Sequence, residues 1–297
     1  MIGASQAHTS KLFLLTCLFI LSSCASLPDA VSKRTADSYH GSTPPVCHDA
    51  ASSHVISSLP ANTTTSLDPH GFRLLNWNIH KGSKAGWQEE LMRHWDGQDL
   101  VTLQEVQMDH RMQPMLSTQG LHWDFAQAFE IGGHATGVMT LARATPSRVC
   151  VQRTMEPWIT LPKSTLISTF ELTGNPQQLL VANVHAVNFS LGISAYRVQI
   201  GQLADVIQAH DGPVVVAGDF NTWSGTRIAF LERQLIDQLA LKKVDFDQRP
   251  LTRIFGIPLD HVYYRGLIVT RMEVQQTPAS DHNPMWVGFQ QTETDNP

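Results

Sequence analysis

Eight polar side chains stand at the ends of short apolar segments of this sequence. Each of them alone has an ordinary explanation, such as a turn former or a helix cap. Together they need another explanation, because a buried carboxylate requires a metal, a proton or a cationic partner to offset its desolvation. Carboxylates, carboxamides and imidazoles at one site can bind a cation, donate hydrogen bonds and transfer protons. The eight residues are Asn78, Glu105, His185, Asp219, Asn221, Asp260, Asp281 and His282.

The segment VVVAGDFNTW, residues 214–223, shows how such residues are placed. Its β-branched run predicts a buried strand, and Gly218 indicates a sharp turn or a close backbone approach. Asp219 then lies at the carboxyl end of the strand, where α/β proteins place reacting groups. The spacing of Asp219 and Asn221 directs both side chains to the same side, with Phe220 turned the opposite way into the core.

The elements that must position these residues can be predicted from residue 72 onward. Alternating or short β-rich apolar runs predict strands, and apolar residues at helical spacing predict helices. The order of the elements predicts a mixed α/β domain whose strand ends carry the candidate chemistry. We predict strands at 72–80, 99–106, 136–143, 164–172, 178–187, from 214, 260–266, 267–276 and 283–290, and helices at 86–95, 193–209 and 223–239.

The composition fits a soluble globular domain. The chain has 297 residues, 42% of them hydrophobic and 16% charged, which is enough to bury one large core. Its formal net charge of -5 argues against a protein that coats nucleic acid, because such proteins neutralise phosphates with a basic face. A local basic groove is compatible with this charge.

The residues 1–23 are predicted to be a signal peptide. Lys11 precedes the apolar run LFLLTCLFIL, which is shorter than the ~20 residues that a membrane-spanning helix needs. The following LSSC, residues 21–24, resembles the bacterial lipobox, in which the cysteine is acylated and becomes the first mature residue. We expect lipidation at Cys24, with an ordinary cleaved signal as the alternative. Ala25 stands where an aspartate would resemble an inner-membrane retention signal, and it favours the outer membrane of a Gram-negative cell envelope.

Residues 24–70 are rich in Ser, Thr, Ala, Pro and Asp and lack sustained periodicity. This composition predicts a mostly irregular, lipid-attached tether, to which the segment HVISSL could add a short edge strand. Cys47 and Cys150 remain after processing, and in an oxidising envelope they either form a disulfide or stay unrelated thiols. The folded domain is predicted at 71–291, and residues 292–297 form a C-terminal tail.

Six motifs follow one another over residues 76–287, namely NWNIH, LQEV, NVHAVN, GDFNTW, LDHVYY and SDHNPMWV. This set resembles the endonuclease/exonuclease/phosphatase family, for which GDFN together with the terminal SDH is specific. The wording NVHAVNFSLG and ASDHNP further resembles a poorly characterised bacterial branch of that family. The resemblance implies a four-layer α/β sandwich, in which two mixed β-sheets pack face to face with helices outside.

The chemistry of phosphodiester hydrolysis needs charge neutralisation, a base that activates water, and help for the departing oxygen. His282 is the best candidate for the base, because neutral imidazole titrates near operating pH. The resemblance implies that Asp260 is the carboxylate that supports this histidine. It also implies that Glu105 and Asp281 are hard oxygen ligands of Mg²⁺ or Mn²⁺, and magnesium needs only one or two carboxylates.

The remaining positions have roles in substrate binding. Asp219 is expected to position the attacking water or to bind a second metal, and Asn221 to donate to a phosphoryl oxygen. Asn78 is a similar neutral donor and can also contact the metal. The resemblance implies that His185 binds the scissile phosphate or helps the leaving group. Some relatives have a further acid where this sequence has His80, so we expect no second metal on that side.

These residues predict a metal-dependent phosphodiester hydrolase that acts as a monomer, tied to the membrane through its N-terminal lipid. Its substrate would be a nucleic acid, a nucleotide or a lipid head group. The chain lacks obvious basic insertions for a DNA duplex, and Lys81 is expected to be a solvated lysine rather than a phosphate contact. The alternative is a catalytically silent envelope lipoprotein that uses the same fold as a binding scaffold. Loss of a core residue would favour this alternative, and none is lost.

Overall fold

The computed structural model describes residues 25–26, 42–49, 56–58, 64–118, 120–190, 192–246 and 249–292. The predicted signal peptide, Cys24 and all of the predicted C-terminal tail except Thr292 lie outside these residues. In the described parts of the chain, no helix combines the length and the apolar character needed to cross a bilayer.

Strands and helices are numbered here in chain order. The described helices are α1 (Trp87–Trp95), α2 (Met112–Thr118), α3 (Ser194–Gln208) and α4 (Gly225–Glu232), with a 3₁₀ turn at His80–Gly82 and a π-helical segment at Arg233–Gln238. The described strands are β1 (Ala25–Ser26), β2 (Ser42–Asp49), β3 (Ile56–Ser58), β4 (Ser66–Leu67), β5 (Phe72–Asn78), β6 (Leu100–Gln107), β7 (His122–Ile131), β8 (His134–Ala142), β9 (Arg148–Met155), β10 (Pro162–Leu172), β11 (Asn175–His185), β12 (Val214–Asp219), β13 (Lys242–Lys243), β14 (Arg253–Ile254), β15 (Ile257–Pro258), β16 (Asp260–Arg265), β17 (Leu267–Val274) and β18 (Met285–Gln291).

Two mixed sheets form the centre of the domain. The first has the order β1-β7-β8-β6-β5-β18-β17, with β3 also paired to β7. The second has the order β13-β16-β12-β11-β10-β9-β2, with β4 also paired to β10. In each sheet two long central neighbours run parallel, β5 with β6 and β11 with β12. Parallel neighbours end at the same edge of a sheet, so both sheets can supply side chains there.

Helices cover the outer face of each sheet. Leu91 of α1 and Met112 of α2 belong to an apolar cluster on the first sheet. Ile200 of α3 and Leu231 of α4 belong to a matching cluster on the second. A third cluster, which includes Phe170 of β10, fills the space between the two sheets. The layers are therefore helix, sheet, sheet and helix, and the predicted four-layer α/β sandwich is confirmed.

Alternation along the strands decides which side chains reach the space between the sheets. On β12, Val215 lies in the cluster between the sheets and Val216 lies in the cluster under the helices. Asp219 continues the inward series, and Phe220 belongs to the helix-side cluster, as the spacing predicts. The predicted close approach at Gly218 is also confirmed, because a Cβ atom there would lie 1.9 Å from the carbonyl oxygen of Val184.

The sequence analysis does not predict β7, β9 or α2. The two strands carry buried polar residues, such as His122 and Gln152. These residues interrupt the alternation of apolar and polar positions that predicts a strand. The short helix contains Pro114 near its start, which argues against a helix when read locally. Tertiary burial outweighs these local signals.

Most of the described residues in the segment predicted as a tether belong to strands that pair with the two sheets. β3 pairs with β7, at the place where the sequence allows a short edge strand. β2 pairs with β9, and this pairing places Cys47 opposite Cys150. The two cysteines are joined by a disulfide bond, so the first of the two alternatives for these thiols is the one observed.

Candidate active site

The polar residues at the strand ends meet at one edge of the sandwich. His185 of β11 is in register with Asp219 of the parallel strand β12. The antiparallel strand β16 begins at Asp260, directly opposite Asp219. Asn78, at the end of β5 in the other sheet, donates from Nδ2 to Asp219 Oδ2 over 3.0 Å. Both sheets therefore contribute side chains to one cluster around Asp219.

His282 lies between two buried carboxylates. Its Nδ1 atom is 2.8 Å from Asp260 Oδ2, and its Nε2 atom is 3.8 Å from Asp219 Oδ2. The backbone carbonyl of His282 accepts a hydrogen bond from Trp77 Nε1 over 2.9 Å, which fixes the segment that carries the ring. Burial lowers the pKa of His282, but Asp260 and then Asp219 outweigh burial and raise the pKa to about 10. The two carboxylates therefore favour the protonated form of the ring.

Asp219 is the central acid of the cluster and is 2% exposed. Its Oδ1 atom accepts from the backbone N–H of Asn221 over 2.9 Å, and its Oδ2 atom is 3.6 Å from His185 Nε2. Burial raises the pKa of Asp219 to about 6, although His282 acts in the opposite direction. A buried carboxylate of this kind is stabilised by any cation brought beside it.

Glu105 is turned into the site by an irregularity in β6. The pairing of β6 with β8 shifts register around this residue, and its φ is 52°. Bulges of this kind re-aim side chains and are frequent beside active sites. The carboxylate contacts Lys81 Nζ, and its Oε1 atom is 3.7 Å from His185 Nε2. Burial alone would raise the pKa of Glu105, but the neighbouring basic groups outweigh it and hold the pKa well below its usual range.

Two lysines at the site differ from the sequence-based expectation. Lys81 is not a fully solvated lysine, because it forms an ion pair with Glu105 and its side chain is 35% exposed. Lys163 is not identified from the sequence at all, yet its Nζ atom is 3.0 Å from His185 Nε2. Its only sequence signal is its place at the start of a strand that packs beside the end of β11.

The contact between Lys163 and His185 fixes the state of the imidazole. An ammonium group can only donate, so His185 Nε2 must accept and the ring carries its proton on Nδ1. Burial first, and Lys163 second, lower the pKa of His185 well below its usual value. The geometry and the electrostatics therefore agree that this histidine is neutral.

Asp281 lies on the outer side of the site, with its side chain 48% exposed. Its Oδ2 atom is 2.9 Å from His80 Nδ1, and the backbone N–H of His80 donates to Asn78 Oδ1 over 3.0 Å. His80 therefore connects Asp281 to the cluster. Within the described part of the chain, no hydrogen bond directly joins the three predicted metal ligands Asn78, Glu105 and Asp281 to one another.

Backbone strain is concentrated at this edge of the sandwich. Seven of the described non-glycine residues have positive φ, and four of them belong to the site: His80, Lys81, Glu105 and Asn221. Each such residue costs on the order of 1 kcal/mol and persists where its surroundings enforce it. Asn221 donates one amide N–H to the carbonyl of Ala186 over 2.9 Å, which leaves its second N–H for a ligand.

The donor set fits a hard divalent cation. Asp219, Asp260 and His282 offer ligand atoms that lie within 4.8 Å of one another. This group overlaps with the predicted catalytic residues rather than with the predicted metal ligands, and its Asp260 carboxylate already accepts from His282. The buried Asp219 and Asp260 supply carboxylate oxygens, which are ligands that Mg²⁺ and Mn²⁺ prefer.

A buried group of polar side chains lies between the sheets, one to three residues before the site residues on three strands. We call Asn76, Thr102, Gln104 and Asn183 the amide cluster; each is at most 1% exposed. Gln104 Nε2 donates to Asn183 Oδ1 over 2.7 Å and to Asn76 Oδ1 over 3.0 Å, so it bridges the two sheets. Thr102 Oγ1 donates to Asn76 Oδ1 over 2.9 Å. The sequence analysis does not single out any of these residues.

A comparison of the sequence with known protein families gives a match over most of the chain. Residues 75–282 match the Endonuclease/Exonuclease/phosphatase family. The chain belongs to this family. Its members are phosphoester hydrolases such as nucleases and phosphatases, and they generally use divalent metals. The family resemblance of the six sequence motifs is therefore confirmed.

Individual proteins are similar to this chain over about three quarters of its length. A UPF0294 protein of Vibrio vulnificus (strain YJ016) is 41% identical over 231 residues, which cover 77% of this chain and 81% of the relative. A family structure from Beutenbergia cavernae superposes with a TM-score of 0.59 and 19% identity, covering 75% of this chain and 72% of the other. The human Nocturnin catalytic domain, with a bound sulfate anion, has a TM-score of 0.59 and 20% identity, covering 76% of this chain and 96% of that domain. At such identities the two structures support the fold alone.

Proposed function

We propose that the protein is a Mg²⁺- or Mn²⁺-dependent phosphodiester hydrolase in which His282, supported by Asp260, activates water. The observation that carries the proposal is the position of the His282 ring between Asp260 and Asp219. Family membership supports phosphoester hydrolysis, and the arrangement of the ring supports the choice of the base.

The two nitrogens of His282 have different tasks. Nδ1 donates its proton to Asp260, so that Nε2 is directed toward Asp219. A water molecule that contacts both Nε2 and Asp219 Oδ2 is oriented by the carboxylate and can pass a proton to Nε2. Asp260 then stabilises the imidazolium, as the carboxylate of a catalytic triad does.

In this proposal the phosphate is held by the other polar groups around Asp219. Asn78 and Asn221 supply neutral N–H donors, and Lys163 supplies a positive charge beside His185. His185, with its proton on Nδ1, accepts a hydrogen bond from Lys163. When substrate binds, a phosphate oxygen accepts this hydrogen bond from the Lys163 ammonium instead. Such donors stabilise the charge that develops on the phosphoryl oxygens.

We propose Asn78, Glu105 and Asp281 as the residues that hold the cation. Lys81 contacts the Glu105 carboxylate, so a bound cation would compete with this ammonium. When bound, the divalent charge neutralises phosphoryl oxygens and opposes the imidazolium state of His282, which leaves Nε2 able to accept a proton.

The proposed substrate is the phosphodiester of a nucleic acid, a nucleotide or a lipid head group, and the proposed active form is a monomer. The second candidate function is a catalytically silent binding scaffold in the cell envelope. The presence of every acid, amide and histidine that the chemistry needs favours the enzyme.

We also propose that Cys24 is acylated and anchors the protein to the outer membrane, because LSSC ends the apolar run of the signal peptide.

The proposal is tested by a hydrolysis screen with the chain from Ala25 onward, which keeps Cys47 for its disulfide with Cys150. The substrates are plasmid DNA, single-stranded DNA, sphingomyelin and inositol phosphates, each with Mg²⁺, with Mn²⁺ and with EDTA. We expect turnover of at least one substrate with metal and none with EDTA. The matched control is His282→Ala, which removes the base and excludes a contaminating hydrolase.

Two results would contradict the proposal. Undiminished turnover in rigorously demetallated protein would exclude the metal-dependent mechanism. Tight binding of a phosphodiester without turnover, at saturating metal and in correctly folded protein, would favour the binding scaffold instead.

A further inference from the structure

Arg227 is a fully buried arginine at the start of α4, and it joins two loops of the site. Its Nη1 atom donates to the carbonyl of Val187 and, over 3.1 Å, to the carbonyl of Asn221. Its Nη2 atom donates to the carbonyl of Asn188 over 2.8 Å and to Ser190 Oγ over 3.0 Å. One guanidinium group thus connects residues 187–190, which follow β11, to the segment that follows β12.

Aromatic packing restricts the orientation of this guanidinium. Its Cζ atom is 4.9 Å from the ring centroid of Tyr196 and 4.6 Å from that of Trp223. Trp223 Nε1 also donates to Asn188 Oδ1 over 2.9 Å, so the same ring contacts both the arginine and the loop. Ser224 caps the helix by accepting from the backbone N–H of Arg227, which fixes the position of its backbone.

A buried acid holds the same loop from the other side. Glu156 is fully buried, and its Oε1 atom accepts from the backbone N–H groups of Asn188 and Phe189. Residues 187–190 therefore lie between a buried cation and a buried anion. Buried charges are expensive to desolvate, and replacing them with apolar groups is often neutral or stabilising. A contribution to stability therefore does not explain why two buried charged side chains, Arg227 and Glu156, contact one short loop.

The loop is directly connected to the catalytic groups. Ala186 accepts from Asn221 Nδ2 over 2.9 Å, and its own N–H donates to the carbonyl of Asp219 over 2.8 Å. His185 precedes Ala186, and Val187 follows it. A shift of the loop is therefore transmitted to His185 on one strand and to Asn221 on the other.

We infer that Arg227 is a positioning residue, which fixes the spacing between His185 and the Asp219–Asn221 segment. This inference rests on the proposed hydrolase function. A cation in the first turn of a helix opposes the helix dipole, which is unfavourable for the helix itself. The four hydrogen bonds of the guanidinium offset this unfavourable interaction with the dipole. Their role is to hold the proposed phosphate-binding groups at a defined distance from the proposed base.

The test compares Arg227→Lys with Arg265→Lys in the chain from Ala25 onward. Arg265 is a matched control, because its guanidinium also donates to backbone carbonyls, those of Leu239 and His210, at the opposite end of β16 from Asp260. Lysine keeps the charge in both variants but cannot reproduce the planar fork of donors. Both proteins are assayed at a temperature at which unfolding curves show them to be folded.

We expect kcat of Arg227→Lys to fall by about 10- to 100-fold, because small misplacements of reacting groups have effects of this size. The metal concentration for half-maximal activity should change less than about twofold. The Arg265→Lys control should lose thermal stability while its kcat stays within about twofold of the wild type. A kcat of folded Arg227→Lys within that same range, or an equal loss of kcat in the control, would overturn the inference.

A second variant and a second measurement keep the test decisive. If Arg227→Lys does not fold, Trp223→Phe removes only the bond to Asn188 Oδ1 and keeps a ring against the guanidinium. A clear fall in kcat then supports the inference, and an unchanged kcat overturns it.

NMR of the ring C–H groups gives a readout without turnover: in Arg227→Lys the His185 signal should shift and that of exposed His70 should not. If the wild type itself hydrolyses nothing, the proposed function fails, whereas an unshifted His185 signal contradicts the positioning role alone.

Discussion

Asp219 and Asp260 stand directly opposite one another on the antiparallel strands β12 and β16. Both side chains are buried, and two like charges in this relationship destabilise a sheet. The His282 ring between them and the Asn78 amide beside Asp219 reduce the repulsion without removing it. The site therefore holds a charge arrangement that is unfavourable for the ligand-free fold.

Replacing Asp219 with asparagine should stabilise the metal-free protein and abolish its activity. The raised pKa of Asp219 means that its ionised form is penalised by burial, and an amide resembles the uncharged form. We expect the free energy of unfolding at pH 8 in EDTA to rise by on the order of 1 kcal/mol. Urea unfolding measures this change, with the exposed Asp205→Asn as the control. Destabilisation beyond the control would contradict the electrostatic account.

The stability of the metal-free protein should fall as the pH rises above neutral. Asp260 and Asp219 raise the pKa of His282 to about 10, above the value of the unfolded chain. A group of this kind stabilises the fold fully below its unfolded pKa, and the contribution is lost as the pH approaches the folded value. We expect a loss of about 2 kcal/mol in the free energy of unfolding between pH 7 and pH 9.

This pH dependence is measured by urea unfolding in EDTA for the wild type and for His282→Gln. The variant should show a much flatter curve between pH 7 and pH 9, because it lacks the titrating group. The exposed His70→Gln serves as the control and should follow the wild type. Parallel curves for His282→Gln and the wild type would mean that another group titrates in this range.

Kinetics should separate the base from a metal ligand. His282→Ala removes the proton acceptor and should lower kcat by several orders of magnitude at saturating metal. Glu105→Gln weakens cation binding, so raised Mg²⁺ or Mn²⁺ should restore part of its activity. Steady-state assays across a metal titration distinguish the two variants. Near-normal kcat in folded His282→Ala would assign water activation to another group, and Asp219, which lies beside Nε2, is the candidate.

Lipidation should depend on Cys24. Replacing Cys24 with serine removes the thiol that the lipobox-like LSSC offers for acylation, so the protein should leave the membrane fraction or stay unprocessed. Cell fractionation with mass spectrometry of the mature N-terminus measures this. Cys17→Ser is the matched control, because that residue lies within the predicted signal peptide. Membrane-bound mature protein with an unmodified Cys24 would place the anchor elsewhere.

The disulfide should contribute substantially to stability. It joins β2 to β9 across a sequence separation of 103 residues, so it restricts the unfolded chain strongly. The double variant Cys47→Ser/Cys150→Ser should lose about 2–4 kcal/mol in the free energy of unfolding. Reductant should destabilise the wild type and leave the double variant unchanged. Equal stability of both proteins under oxidising conditions would contradict the expectation.

The edge of the fold that carries the candidate site is predictable from sequence because its residues end apolar runs. Asp219 and His185 each follow several buried residues, so their type and position indicate a site without knowledge of the other sheet. Family motifs then supply the four-layer arrangement, which strand prediction alone does not distinguish from other α/β layouts. Register explains why the separate strand ends meet: β11 and β12 end together, and Asp260 begins the neighbouring antiparallel strand.

Other site residues give no comparable local signal. Lys163 begins a strand, where a lysine is ordinarily solvated, and its contact with His185 depends on pairing across the sheet. Asn183 and Gln104 interrupt apolar strands, and only the packing of two sheets reveals their partner across the interface. Arg227 does give a sequence signal, because a basic residue in the first turn of a helix interacts unfavourably with the helix dipole.

The amide cluster has a consequence for how the two sheets find their alignment during folding. Apolar contacts are non-directional, so the aliphatic surfaces alone would tolerate sliding of one sheet over the other. A displaced arrangement would separate Gln104 from Asn183 and leave buried carboxamides without partners, at about 1–3 kcal/mol for each unpaired group. A displaced alignment is therefore energetically disfavoured, and the polar layer favours one relative position of the two sheets.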